Sequence, residues 1–280
     1  MITAGSLFQP GGGFFLIAGP CLLEDDALNL QVGDALARLA DDLSLPIIYK
    51  SSFDKANRSK AGSARGPGID EGMRLLDRVK QKTGLPVLTD IHLPEHAAIA
   101  AGVCDVLQIP AFLSRQTDLV EAAAATGSAL NIKKGQWMSP EDLSHAVAKA
   151  RGAGAGAIAV TERGTFFGYG DLIVDMRSFT RMREACNAPV IFDGTHSVQR
   201  PGRADGASGG DPRFIPTLVR AAIAAGADAL FLEVHPRPET APSDGSNMLR
   251  LDALRTLLED VLAVRAALSN GMPAPVTAGV

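Results

Sequence analysis

The stretch FFLIAGPC, residues 14–21, decides between two folds that are built on parallel strands. Its apolar run is typical of a strand that is buried on both faces. An open doubly wound sheet normally follows its first strand with a glycine-rich turn that binds a dinucleotide. Here the strand ends in Gly-Pro-Cys, which favours a closed barrel and raises the question of what the Cys21 thiol does there.

Similar short apolar runs recur along almost the whole chain. We predict seven more strands, at PIIYKSSF (46–53), PVLTDIH (86–92), VLQIPAF (106–112), ALNIKK (129–134), AIAVTER (157–163), PVIFDGTH (189–196) and ALFLEVHP (229–236). Segments with the 3.6-residue apolar period of a helix alternate with them, as at 28–43, 218–227 and 249–268. Eight such units in 280 residues predict an α/β protein with a single (β/α)₈ TIM barrel.

One domain over residues 1–280 is expected, because no change in composition marks a boundary. Residues 1–13 are predicted as a short N-terminal extension and 270–280 as a flexible C-terminal tail. The Gly- and Pro-rich stretch at 200–212 is longer than most strand–helix connections, which predicts either a disordered loop or a lid.

Charge and composition exclude several classes of protein. The net charge is −4 and no basic block occurs, which argues against nucleic-acid binding. No apolar run approaches the roughly 20 residues of a membrane span. The start of the chain lacks a basic segment followed by a small-residue cleavage site, so a cytoplasmic protein is expected. Three widely spaced cysteines are not expected to form structural disulfides in that compartment.

Polar side chains follow every predicted strand. In a barrel these positions share the rim where active sites lie. They are Cys21, Lys50, Asp90, His92, Gln108, Arg115, Lys133, Lys134, Arg163, Asp193, His196, Glu233 and His235. A barrel without a site has no need of so many polar strand ends.

Three of these residues are metal-ligand types, namely Cys21, His196 and Glu233, and Asp244 follows in the next loop. Thiolate, imidazole and carboxylate together suit Zn²⁺, Fe²⁺ or Mn²⁺. Each residue also has a simpler interpretation. The thiol could be a small buried hydrophobe, the imidazole a hydrogen-bonded rim residue, and the aspartate before Gly245 a turn residue.

Cations are expected to converge at the same rim. They are Lys50, Lys55, Arg58, Lys133 and Arg163. Such a set in a chain of net negative charge indicates an anionic ligand with phosphate or carboxylate groups. The alternative for Lys55 and Arg58 is that they are solvated loop charges.

Longer motifs give the chain a family resemblance. They are KSSFDKANRS (50–59), RGPG (65–68), TDIH (89–92), QIPAFLSRQTDL (108–119), NIKKGQ (131–136), FDGTH (192–196), ASGG (207–210) and EVHPRPETAPSDG (233–245). Over roughly residues 14–268 the chain resembles the 3-deoxy-D-manno-octulosonate 8-phosphate synthases. The resemblance implies a homotetrameric TIM barrel that condenses phosphoenolpyruvate with D-arabinose 5-phosphate for the lipopolysaccharide inner core.

The opening stretch separates two branches of that family. The metal-independent branch carries asparagine where this chain has Cys21, and often Cys-Asp-Gly at the position of residues 243–245. The resemblance therefore implies a divalent metal, which could be Mn, Fe, Zn or Co. By motif position its ligands would be Cys21, His196, Glu233 and Asp244.

The resemblance also implies roles for other residues. The catalytic residues would be Lys50, Lys55, Asp90, Lys133, Arg163 and His196. Among them Lys50, Lys55, Lys133 and Arg163 would hold phosphoenolpyruvate, and Asp90 would lie near the sugar hydroxyls. The substrate-binding residues would be Asn57, Arg58, Ser59, Gln108, Ala111 and Arg115. The first three would bind the pentose phosphate group, and Arg115 would reach that phosphate across a subunit interface. Because strand side chains alternate, only one of Lys133 and Lys134 can face the interior, and the motif favours Lys133. Gly135-Gln136-Trp137 departs from the expected Pro-Gln-Phe.

Three other functions remain open at this point. A sister synthase uses erythrose 4-phosphate with a similar metal site, but it typically carries a KPRTS-like motif where this chain has KANRS. A Schiff-base aldolase would use Lys50 or Lys133 as its nucleophile. A non-catalytic barrel would bind anions without turnover, and it would leave Cys21 unexplained.

Overall fold

The predicted strands pair side by side into a closed ring. The computed structural model describes residues 3–56, 62, 64–204 and 207–271. Neighbouring strands run parallel in the order β1-β2-β3-β4-β5-β6-β9-β12, and β12 pairs again with β1. The ring strands are β1 Phe15–Gly19, β2 Ile47–Lys50, β3 Val87–Asp90, β4 Val106–Ile109, β5 Ala129–Lys133, β6 Ile158–Glu162, β9 Val190–Asp193 and β12 Ala229–His235. The predicted (β/α)₈ barrel is confirmed.

Helices alternate with the ring strands along the chain and cover the outside of the barrel, except for the first helix, which precedes β1 and closes one end. They are α1 Ala4–Leu7, α2 Asp26–Leu43, α3 Ile69–Thr83, α4 His96–Ala101, α5 Thr117–Ala125, α6 Leu143–Gly152, α7 Ser178–Cys186, α8 Ile215–Ala224 and α9 Leu254–Gly271. Local signals set some of their ends. The Asp25 side chain caps α2 by accepting from the Leu28 N–H, and Gly84 ends α3 in the left-handed conformation.

Two apolar clusters hold the barrel together. The larger one lies between the ring and the outer helices. The smaller one fills the amino-terminal half of the barrel interior, where side chains of alternate strand positions meet. Helix α1 closes this end, because Ala4, Leu7 and Phe8 pack against interior residues such as Phe15. These residues belong to the segment predicted as an N-terminal extension.

Two small hairpins lie outside the ring. The first pairs β7 Thr165–Gly168 with β8 Asp171–Ile173, and the second pairs β10 Gln199–Ala204 with β11 Ala207–Gly210. The second falls on the stretch predicted as a disordered loop or a lid. Its described residues form antiparallel strands instead of an irregular loop, because strands pair through backbone N–H and C=O groups, which glycine also provides.

The strand β13, Leu249–Arg250, extends the sheet beside β12 beyond the ring. No helix in the part of the chain that the structure describes is long and apolar enough to cross a membrane. The predicted tail at 270–280 lies, apart from the end of α9, outside the described residues.

Candidate functional site

The polar strand ends meet at the carboxyl end of the barrel, because all eight ring strands run in the same direction. Gly19 brings the first two strands close together. A Cβ atom at this position would lie 2.1 Å from the carbonyl oxygen of Lys50, so only glycine fits. This close approach leaves the Cys21 carbonyl oxygen 3.3 Å from Lys50 Nζ.

Three predicted metal ligands form a compact group. One ligand atom from each of Cys21, Glu233 and Asp244 lies within 4.8 Å of the other two. Cys21 Sγ is 3.1 Å from Asp244 Oδ2, and the Cys21 and Glu233 side chains are buried. Asp244 lies on a turn with φ at 51°, which turns its carboxylate toward the thiol of a residue 223 positions earlier.

His196 lies beside this group. Its Nε2 is 3.8 Å from Glu233 Oε2, and its Nδ1 is 2.8 Å from Asp193 Oδ2. Asp193 therefore holds the ring with Nε2 directed at Glu233, as outer carboxylates commonly do for ligand histidines. Sequence reasoning placed Asp193 at the rim but gave it no role, although its spacing of three from His196 was a usable signal.

The donor set fits a divalent cation. Glu233 Oε2 is buried and has no hydrogen-bond partner among the described residues, which is costly unless something else binds it. Thiolate, imidazole and two carboxylates are ligands of Zn²⁺ and of divalent iron, manganese or cobalt. These four side chains would hold such an ion.

The pKa shifts within the group also favour a bound cation. Burial and the neighbouring Glu233 raise the pKa of the Cys21 thiol well above its usual value. Burial opposes ionisation of Asp244 as well, but Lys55 and His196 hold the pKa of that carboxyl well below its usual range. A bound cation favours the thiolate, so it would remove the penalty that now keeps the proton on Cys21.

Three lysines surround the group. Lys50 Nζ lies 2.7 Å from Glu233 Oε1, and Lys55 Nζ lies 3.8 Å from the same oxygen. Lys133 Nζ lies 2.7 Å from Asp193 Oδ2 and stacks 3.5 Å from the centroid of the Phe231 ring. Lys50 and Lys133 are buried and Lys55 is partly buried, and the carboxylates that these lysines contact are themselves shared.

The neighbouring lysine, Lys134, points elsewhere, as strand alternation requires. Its Nζ lies 3.5 Å from Glu162 Oε1 and 3.1 Å from Thr165 Oγ1. Lys133 thus belongs to the barrel interior, whereas Lys134 supports the segment that follows β6.

Arg163 completes the ring of cations. Its Nη2 donates to Gln199 Oε1 at 2.5 Å, while its buried Nη1 has no hydrogen-bond partner among the described residues. Gln199 also reaches Asp244 Oδ1, at 3.4 Å from its Nε2. Sequence reasoning missed Gln199, because the Gly/Pro-rich segment that follows it was interpreted as a loop.

Asp90 accepts hydrogen bonds on both carboxylate oxygens. Ser52 Oγ donates to Oδ2 at 2.8 Å and Gln108 Nε2 donates to Oδ1 at 2.5 Å. Burial opposes its ionisation, but Lys50 and Lys55 hold the pKa of Asp90 well below its usual range. Asp90 is therefore a fixed anionic acceptor at the rim.

The remaining predicted residues differ in position. Ala111 is buried in a short 3₁₀ turn after β4, whereas Arg115 is exposed. Asn57, Arg58 and Ser59 lie outside the described residues. His92 packs its ring edge-on against Phe53.

A second missed feature ties two ligand segments together. The buried His235 lies two residues after Glu233, and its Nε2 is 3.0 Å from Glu24 Oε1. Glu24 follows Cys21 in the first connection of the barrel. The pair therefore joins the segment that carries the thiol to the strand that carries Glu233.

Comparison with known proteins identifies the family. Residues 8–269 match the DAHP synthetase I family. The chain is 52% identical over 268 residues to a "2-dehydro-3-deoxyphosphooctonate aldolase" of Cyanothece sp., with 96% of this chain and 98% of the relative covered. It is 50% identical over 268 residues to the protein of that name from Synechococcus sp., covering 95% and 94% of the two chains. A third relative of that name, from Alkalilimnicola ehrlichii, is 52% identical over 248 residues, which is 89% of each chain. The resemblance to this family is confirmed, while its metal-dependent branch stays a prediction. The chain belongs to the DAHP synthetase I family, where its relatives at half identity are 2-dehydro-3-deoxyphosphooctonate aldolases.

Proposed function

We propose that the chain condenses phosphoenolpyruvate with D-arabinose 5-phosphate and water, and releases 3-deoxy-D-manno-octulosonate 8-phosphate and inorganic phosphate. The observation that carries the proposal is the set of buried cations at the carboxyl end of the barrel, with Lys50, Lys133 and Arg163 all buried. Both substrates are anions. The names of the relatives at 50–52% identity over most of the chain agree with this reaction.

Phosphoenolpyruvate would bind through its carboxylate and phosphate to Lys50, Lys55, Lys133 and Arg163. The free Nη1 of Arg163 supports this assignment, since a buried guanidinium nitrogen needs an acceptor. Fixing both anions within reach of each other lowers the barrier by removing translational and rotational freedom, an effect worth roughly 7–11 kcal/mol in well-oriented systems.

The aldose phosphate would bind on the side of β3 and β4. Asp90 and Gln108 lie there at the carboxyl end of paired strands and suit sugar hydroxyls. Ala111 would line the same side, and Asn57, Arg58 and Ser59 would hold the phosphate. Arg115 is exposed on this chain, which agrees with a residue that serves a neighbouring subunit of a homotetramer.

In the proposed reaction, the C2=C3 π electrons of phosphoenolpyruvate form a bond from C3 to the aldehyde carbon of the open-chain pentose, and the aldehyde oxygen takes up a proton. Water adds at C2 and releases a proton. The C2–O bond to phosphate then breaks, the second proton of the added water leaves with phosphate, and C2 becomes a ketone. Cationic side chains stabilise the leaving phosphate. Asp193 accepts a hydrogen bond from His196 Nδ1–H, and in this tautomer the lone pair of Nε2 is available to coordinate a metal. A divalent metal held by Cys21, His196, Glu233 and Asp244 would supply Lewis-acid activation of a substrate oxygen or of water.

A cytoplasmic location in lipopolysaccharide synthesis is part of the proposal. Cys21, Cys104 and Cys186 are all free and buried, which agrees with a reducing compartment. The segment predicted as a lid at 200–212, which overlaps β10 and β11, would close over the bound substrates. This requires protease sensitivity in that segment to fall when both substrates are present.

The direct test is phosphate release from phosphoenolpyruvate with arabinose 5-phosphate, before and after chelation, and after return of Mn²⁺ or Zn²⁺. We expect activity that chelation abolishes and either metal restores. Activity that persists after verified metal removal contradicts the metal site and keeps the synthase. Turnover of phosphoenolpyruvate with erythrose 4-phosphate but not with arabinose 5-phosphate would assign the chain to the sister synthase.

A further inference from the structure

A line of hydrogen-bonded side chains runs along the inner wall of the barrel, over the adjacent strands β6, β5, β4 and β3. Thr161 Oγ1 is 2.7 Å from Asn131 Oδ1, Asn131 Nδ2 is 2.8 Å from Gln108 Oε1, and Gln108 Nε2 is 2.5 Å from Asp90 Oδ1. Strand register supports the line, since Asp90 pairs with Gln108 and Gln108 pairs with Asn131. Register therefore accounts for these two links, whereas Thr161, which pairs with Lys133, reaches Asn131 diagonally across β5 and β6.

The carboxylate of Asp90 fixes the direction of every bond in this line. An ionised carboxylate can only accept, so Gln108 must turn its NH₂ group toward Asp90. Its carbonyl oxygen then faces Asn131, which must present its own NH₂ group. The carbonyl oxygen of Asn131 is left for Thr161, whose hydroxyl must donate. Reversal of any member would oppose two donors or two acceptors.

The line is closed to water except at one end. Thr161 and Asn131 are fully buried and Gln108 is 2% exposed, whereas Asp90 is 8% exposed. At that end Ser52 donates to the second oxygen of Asp90, and Lys55 Nζ lies 3.1 Å from Ser52 Oγ. The orientation that begins at Thr161 is thus delivered to Gln108 and Asp90, the two members that are expected to contact the aldose.

We propose that Thr161 and Asn131 are positioning residues, which act through Gln108 to hold the Asp90 carboxylate in a single orientation toward the aldose. The inference rests on the proposed function of the site. It extends that function to two residues on strands that lie beyond the expected aldose contacts.

Removal of the Thr161 hydroxyl tests the line, because valine keeps the shape of threonine. The Asn131 carbonyl would lose its donor, and rotation of the amide would bring two carbonyl oxygens together at Gln108. A matched control exists in Thr89, which is equally buried on β3 and donates to the Ser51 carbonyl at 2.8 Å, outside the line.

We expect Thr161→Val to lower kcat/KM for arabinose 5-phosphate by roughly ten- to a hundredfold, the range for an orphaned buried polar group. The KM for phosphoenolpyruvate should change less than the KM for arabinose 5-phosphate, because Lys133 and Arg163 bond to residues outside the line and Lys55 reaches it only through Ser52. Thr161→Ser, which keeps the donor, should restore most of the activity. Thr89→Val should match the wild type, and the two valine variants should unfold at similar temperatures.

A second variant covers the case in which Thr161→Val fails to fold. Asn131→Asp keeps the shape but places an acceptor against Gln108 Oε1, and it should produce the same selective loss. Equal kinetics of Thr161→Val and Thr89→Val in an active enzyme would overturn the inference alone, as would full activity of Asn131→Asp. A wild-type chain without turnover on this substrate pair would overturn the proposed function and the inference with it.

Discussion

The two ends of the barrel interior differ completely in chemistry although the same strands build both. On β5, Ala129 belongs to the apolar cluster closed by α1, whereas Asn131 and Lys133 belong to the polar end. On β12, Ala229 and Phe231 are apolar, and Glu233 follows. The change occurs within two residues of each strand. One end therefore contributes stability through burial. The other concentrates paired buried charges around Arg163 Nη1 and Glu233 Oε2, which have no hydrogen-bond partner among the described residues.

The largest expected effect is at the apolar end. Phe8→Ala should lower the free energy of unfolding by about 3–5 kcal/mol, because it opens a cavity where Phe8 stacks 5.4 Å from Phe15. Urea denaturation measures this change. The matched control is Phe214→Ala, whose side chain is 49% exposed. A large loss of kcat in the folded Phe8 variant would contradict the separation of the two ends.

The next effect is expected at the polar end. Cys21→Ser should reduce activity by more than about a hundredfold, since changes in outer partners alone already cost 10–100-fold at metal sites. Bound metal measured by mass spectrometry should fall in parallel, while the unfolding midpoint measured with chelator present changes little. Cys104→Ala is the control, because that thiol is buried in the outer apolar cluster. Full metal content in the serine variant would exclude Cys21 as a ligand.

A smaller effect is expected where Glu24 and His235 join the two ligand segments. Glu24→Gln should weaken metal affinity by roughly tenfold through looser placement of Cys21 and Glu233. Activity measured against metal concentration should shift to higher concentrations and reach the wild-type maximum. Glu121→Gln, on the exposed face of α5, serves as the control. An unchanged titration curve would show that the pair does not support the site.

The smallest effect concerns charge at the exposed edge of the polar end. Burial raises the pKa of Asp54, but the hydrogen bond from Arg65 outweighs burial and the pKa is lowered overall. A carboxyl with a lowered folded pKa adds stability above its unfolded pKa of about 4, and this is lost as the pH falls through the folded pKa. Asp54→Asn should therefore cost less than about 1 kcal/mol at pH 7, as exposed pairs do.

The difference between wild type and Asp54→Asn should vanish at acid pH, measured by urea denaturation between pH 7 and the lowest pH at which both fold. Arg65→Gln, which removes the donor that lowers the pKa of Asp54, should reproduce the loss of stability at pH 7 and its disappearance at acid pH. A difference that grows toward acid pH would reverse the assigned sign.

Much of this arrangement follows from sequence. Near-continuous apolar runs predict parallel strands, and parallel strands bring their carboxyl ends to one rim, so Cys21 and Glu233 could be grouped in advance. Which of these side chains bond to each other could not be predicted. The bond between Lys50 and Glu233 spans 183 positions, and the ring of His196 is set by Asp193. The direction of the Thr161–Asp90 line depends on side-chain amide orientations, which no sequence pattern encodes.

Closure of the ring through β1 and β12 has a consequence for synthesis on the ribosome. Residues 4–19 emerge first, yet the second neighbour of β1 is residues 229–235, among the last to emerge. Until then β1 and β9 each present an unpaired edge, which invites pairing with other chains. The apolar side chains of α1 must wait equally long for the last strand of the ring. Any sheet that forms during elongation would therefore expose the unpaired edge of β1 and the apolar side chains of α1 until β12 is made, and chaperones would find binding sites there.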